Sequence, residues 1–122
     1  MARCDEGYLC RICKTEVEKL SESELYLRFV IGEIDPEILH LTPECHLVCN
    51  PVLAQFIDNQ KFPACPCVQE GFRKEDLDPS YVAKRQNLIT RGYLRLLEIQ
   101  SNRKRFPQVQ DYLLEEFQGK WK

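Results

Sequence analysis

Apolar residues recur at helical spacing early in the chain, pairing Leu25 with Phe29 and Leu27 with Ile31 and Ile34. That pattern predicts an amphipathic helix over about residues 22–33. Leu25, Leu27, Phe29 and Ile31 also alternate with other residues, as in a half-buried strand. Ser21-Glu22-Ser23-Glu24 tips the reading to helix, because Ser21 can accept from a free backbone N–H while Glu24 reaches back in a capping box. Three Asx/Thr-Pro steps follow. Asp35-Pro36 predicts a short helix to about Leu41, Thr42-Pro43 one more turn through Cys45 and His46, and Asn50-Pro51 a helix over Val52–Ile57. Residues 58–77, broken by Pro63, Pro66 and Gly71, read as irregular.

Asp78-Pro79 opens the longest predicted helix, to about Gln100. At 3.6 residues per turn, Tyr81, Val82, Leu88, Ile89, Tyr93, Leu96, Leu97 and Ile99 share one broad face. Lys84, Arg91 and Arg95 form a basic stripe outside it. After a linker over Ser101–Phe106, Pro107 predicts a last helix with Val109, Tyr112, Leu113 and Phe117 on one face, stopped by Gly119. The expected fold is a small, mostly α single domain over 1–122. Its N-terminal Cys-x2-Cys segment is a zinc-knuckle-like loop or hairpin, and minor β pairing has room to form. Residues 1–58 carry the metal site and short helices, 59–77 an irregular linker, and 78–122 two helices.

Composition narrows the class. The chain has 122 residues, 43% hydrophobic and 30% charged, which suits one globular domain and argues against disorder. No apolar run approaches the roughly 18 residues that span a bilayer, since Leu25–Ile34 is broken by Arg28, Gly32 and Glu33. Met1-Ala2-Arg3-Cys4-Asp5-Glu6 places two acids where a signal peptide carries its apolar segment, so the expected location is the cytoplasm, where thiols stay reduced.

Seven cysteines then become informative. An odd number leaves a closed disulfide framework one thiol over. Close spacing in a reducing compartment points to metal ligands or redox groups. Cys10-x2-Cys13 can place two thiolates on one tetrahedral zinc ion. The second pair comes from Cys45-His46-Leu47-Val48-Cys49, as His46 with Cys49 or, alternatively, Cys45 with Cys49. His46 and Cys49 are favoured. Cys49 would sit just outside the helix that Asn50 caps, where the helix dipole favours a thiolate, and an x2 turn can aim His46 at the same ion. If Thr42-Pro43 opens a helical turn, Cys45 and Cys49 share a face instead. A Cys-x2-Cys knuckle followed by a second pair at a helix start resembles treble-clef-type zinc modules in that feature alone, because the 32-residue gap from Cys13 to Cys45 exceeds the common finger spacing.

The bland alternative is that these thiols are small buried hydrophobes. Cys65-Pro66-Cys67 is a weaker pair, read as a loop with two partly buried thiols; Cys4 could join them in a second site or replace a ligand in the main one, and His40 reads as a surface or core-edge residue. Glu44 has the chemistry of a catalytic base beside an open zinc, yet reads as a first-turn acid. No βαβ pattern follows Cys10-x2-Cys13, and no Gly-rich phosphate loop or Ser-His-Asp grouping is present, so the expectation is not an enzyme.

Charge is uneven: net −2 overall, with 12 acids and 6 bases in 1–72 but 9 bases and 4 acids in 73–105. Lys84, Arg91 and Arg95, continued by Arg103-Lys104-Arg105, offer a surface for phosphates. The alternative is a solvated face whose charges pair with the acidic half. Three functions follow. The first is an intracellular zinc-binding adaptor that meets a protein partner through Leu94, Phe106 and Trp121; the second is a zinc-containing nucleic-acid binder or regulator using 84–105; the third is a thiol redox protein.

Overall fold

Ser23, two residues beyond the expected cap, opens the first α-helix. In the computed structural model, which describes residues 9–17, 19–60, 62, 68 and 70–119, α1 spans Glu24–Val30 and the Ser23 hydroxyl accepts from the Tyr26 N–H at 3.0 Å. Ser21 belongs to a 3₁₀ turn, Leu20–Glu22, and its own N–H donates to the Gln100 side chain. The capping box is therefore replaced by a simple Ser cap, and Glu24 is buried elsewhere. α1 ends at Val30 because Gly32, at φ +79°, turns the chain beneath the Phe117 ring; a Cβ there would stand 2.7 Å from Phe117 Cδ1.

Asp35 caps the next element as expected, accepting from the Glu37 N–H at 2.9 Å, but Pro36–Leu41 is 3₁₀ rather than α. His40 stands near its end. Thr42-Pro43 opens no helical turn. The chain runs extended instead, and Glu44 and His46 form isolated bridges to Cys10 and Ser23. Among the described residues, β pairing is confined to such isolated bridges. Asn50 caps α2, which is only Pro51–Ala54; Phe56 and Ile57 leave it to enter the core.

α3 runs Pro79–Ser101, capped by Asp78 through the Tyr81 N–H. It buries Ile89, Gly92, Tyr93, Leu96 and Ile99. Val82, Leu88 and Leu97 pack at the core's edge, while Tyr81 is exposed. α1 lies against α3 so closely that a Cβ on Gly92 would stand 2.7 Å from Ile31 and 2.8 Å from Leu27. Two helices were expected over 78–122; α3 is followed instead by 3₁₀ turns at Arg103–Arg105, Val109–Tyr112 and Glu115–Phe117. Leu113 and Leu114 are both buried and both extended, which a continuous helix would forbid. The Leu114 N–H closes this segment onto α1 at Val30 O, 3.0 Å away.

The described parts of 59–77 are held to the domain: the Gln55 side chain donates to Phe72 O and accepts from the Lys74 N–H. Cys4, Cys65, Cys67 and Trp121 lie outside the described residues. No described helix is long and apolar enough to cross a membrane.

Candidate metal centre

Backbone hydrogen bonding builds the site before any side chain enters. Residues 9–16 fold into a tight hairpin, with Leu9 bridged to Glu16, the Cys10 N–H donating to Thr15 O at 2.8 Å and the Lys14 N–H to Cys10 O at 2.9 Å. Lys14 takes the left-handed conformation at φ 65° that closes the turn. The Arg11 N–H then donates to Glu44 O, and the Glu24 N–H to Cys45 O. Residues 44–46 are thereby gripped between the hairpin and the start of α1. The Cys49 N–H donates to His46 O at 3.0 Å, closing an x2 turn immediately before Asn50 and α2.

Cys10, Cys13, His46 and Cys49 converge as a result, with one ligand atom from each lying within 4.8 Å of all the others. A tetrahedral ion with bonds of about 2.3 Å spaces its ligands about 3.8 Å apart, so the group is compatible with a bound metal ion. His46 is oriented by its hydrogen bonds. Glu16 O, 3.0 Å from Nε2, can only accept, so Nε2 carries the proton. Nδ1 of the neutral ring is then the bare nitrogen, and it stands 3.2 Å from Cys13 Sγ.

The thiols are tuned unequally. Burial pushes Cys10 up, but the N–H groups of Cys13, His46 and Ile12, together with the His46 ring, outweigh it and bring the thiol down to about 5. Two of those N–H groups contact its sulfur directly, at 3.3 Å from His46 and 3.4 Å from Ile12. The Thr15 hydroxyl, 2.9 Å away, leads in lowering Cys13. Cys49 is pushed up to about 12, first by burial and then by its two sulfur neighbours. Sequence reasoning placed the ready thiolate at Cys49 on the strength of a helix dipole. α2 has four residues, too short for a strong dipole, and burial, reinforced by the neighbouring sulfurs, wins. His46 is raised: burial works against its charged form, but Cys10 and Cys13 outweigh that effect.

Cys45 stands outside the group of four. Successive residues of an extended chain face opposite ways, so Cys45 turns from His46 into a small core with Cys10 and Val17, and its Sγ–H donates to His46 O. Burial, then the Glu24 carboxylate, push it up to about 12. Glu44 is not a first-turn acid but a buried strut. It accepts from Ser23 Oγ at 2.8 Å through Oε1, while Oε2 has no hydrogen-bond partner, and burial raises its pKa.

The basic segment is only partly free. Lys84 and Lys104 are exposed. Arg91 forms a bidentate pair with Glu116. Arg95 donates to Glu98 at 3.1 Å and to Leu113 O at 3.2 Å, and stacks over Phe106 at 5.3 Å. Arg105 reaches the same Glu98 and the same ring. Arg103 belongs to the exposed 3₁₀ turn. Of the apolar contact candidates, Leu94 is exposed and Phe106 is buried. Sequence reasoning missed a chain of alternating charge, Arg11–Glu24–Arg28–Glu33–Arg85, which ties the hairpin through α1 to α3. Only the Glu24/Arg28 step, at i,i+4, had a local signature.

No protein-family model, no curated protein and no solved structure matches this chain.

Proposed function

We propose that the protein is a small zinc-stabilised adaptor, a protein-interaction module whose metal is structural. The observation that carries the reading is the mutual convergence of three thiols and one imidazole from two turns far apart in sequence. Three sulfurs with one nitrogen suit zinc, and four protein ligands leave no open position for water or substrate. Cys10 and Cys13 form the knuckle, and His46 and Cys49 supply the second pair from the turn before α2. A catalytic role and a thiol redox role are both disfavoured by that closed set. Leu9, Ile12, Val48 and Val52 are exposed apolar residues beside the ligands in the chain, and they are the contacts a partner would bury.

Native mass spectrometry with and without a chelator tests the metal: one zinc per chain is expected, and a metal-free folded chain would overturn it. For the adaptor role, Ile12→Asp with Val48→Asp should keep zinc yet lose the proteins that the wild type captures. The nucleic-acid reading rests on Lys84, Arg91, Arg95, Arg103, Lys104 and Arg105. It is weakened because Arg91, Arg95 and Arg105 already hold carboxylates within the fold. Steeply salt-dependent binding of an oligonucleotide, abolished by Lys84→Glu with Lys104→Glu, would restore it.

A further inference from the structure

Beside the metal centre lies a cavity of about 660 Å³, within the range of small-ligand sites. Part of its lining is aromatic: Tyr93 and Phe62 pack edge to face at 5.4 Å. Tyr93 is 4% exposed, and burial alone raises its pKa; its hydroxyl makes no hydrogen bond to a described residue and is not sealed from solvent. Leu47 and Val48 add apolar wall, and Ser21 and Thr15 add hydroxyls. Glu16, Glu22 and Lys19 supply its charge. None of these three forms an ion pair among the described residues, so together they leave the lining a surplus of one negative charge.

We propose that this cavity receives the side chain of a lysine presented by a partner peptide. Its alkyl stem lies along Leu47, Val48 and Phe62. Its ammonium meets Glu16 and Glu22, faces the aromatic pair and donates to the unpartnered Tyr93 hydroxyl. An anionic ligand would meet the carboxylate surplus, and a purely apolar one would take solvent from the phenol without replacing its hydrogen bond. The proposal deepens the adaptor reading and rests on it for the peptide.

The test titrates the zinc-loaded full chain with acetyl-Gly-Lys-Gly-amide, its norleucine counterpart and n-butylamine, following backbone amide resonances. The lysine peptide should shift Glu16, Ser21, Glu22, Val48 and Tyr93 saturably, and the norleucine peptide should leave them in place. Tyr93→Phe keeps the ring and should weaken binding about fivefold, the worth of one hydrogen bond. Glu22→Gln should weaken it at least as much. Equal binding of the lysine and norleucine peptides, or no shift at saturating lysine peptide, overturns the proposal while leaving the adaptor reading to its own test. Butylamine binding as tightly as the peptide overturns the assignment to a protein partner and makes the site one for a free amine.

Discussion

Cys45 and Cys49 are four residues apart, and burial holds both thiols up at about 12 in the metal-free chain. Their difference lies in direction rather than acidity. Cys49 faces Cys10, Cys13 and His46, whereas Cys45 faces Val17 and a backbone carbonyl. A divalent cation among the four ligands would stabilise the Cys49 thiolate directly and reverse its shift. Cys45→Ala should therefore retain one zinc per chain in native mass spectrometry, while Cys10→Ser and Cys49→Ser lose it and unfold. A second residue-scale expectation concerns Glu116, whose carboxyl Arg91 holds below the ordinary 4.5. A lowered carboxyl pKa means the pair's contribution is complete above that ordinary value and is lost as pH falls through the lowered one. The Glu116 carboxyl carbon, followed by NMR, should titrate below 4.5, and Arg91→Gln should return it upward. The pair is exposed, so the effect on stability is small and fades with salt.

α1 shows how one element serves both halves of the molecule. Its N-cap, Ser23, is bridged to His46, and the same hydroxyl that caps the helix donates to Glu44. Ser23→Ala should cost about 1 kcal/mol for the cap, with about 1–3 kcal/mol more for a buried carboxylate left without a partner. The opposite face of α1 meets α3 at Gly92. Alanine in a helix ordinarily stabilises by roughly 1 kcal/mol over glycine. Here its Cβ would press on Ile31 and Leu27, so Gly92→Ala should destabilise by about 1–3 kcal/mol. Urea unfolding of the zinc-loaded variants measures both, and a stabilised Gly92→Ala would mean the two helices part easily.

Across the whole molecule two packed regions meet. α1, α3 and the turns after α3 share the larger apolar core, while the hairpin and residues 44–49 surround a small one of Cys10, Val17 and Cys45. So few apolar side chains cannot hold the second region alone. The proposed structural zinc would contribute on the order of 10 kcal/mol, comparable with the stability of an entire domain. Because residues 44–46 also hold the start of α1, loss of the proposed ion should spread. Chelation is expected to collapse amide dispersion throughout the chain, α3 included. Retention of α1 and α3 resonances would show instead that the larger core stands alone.

Much of this was legible before any fold. Asp35-Pro36, Asn50-Pro51 and Asp78-Pro79 each open the element they announce, because an Asx cap and a first-turn proline act within a few residues. The Cys10-x2-Cys13 and His46-x2-Cys49 turns were readable for the same reason. Other features were decided by contacts distant in sequence. Thr42-Pro43 carries the same local signal as its neighbours, but pairing with Cys10 and Ser23 draws residues 44–46 out straight. That pairing turns Cys45 away from the cluster and sinks Glu44. The helix expected after Pro107 yields to extended Leu113 and Leu114, both seated in the core. Of the basic stripe, Arg91 and Arg95 are taken up by Glu116 and Glu98, while Lys84 stays exposed. Local hydrogen bonding writes caps and turns into a sequence; the direction in which a side chain finally faces depends on partners that only folding brings near.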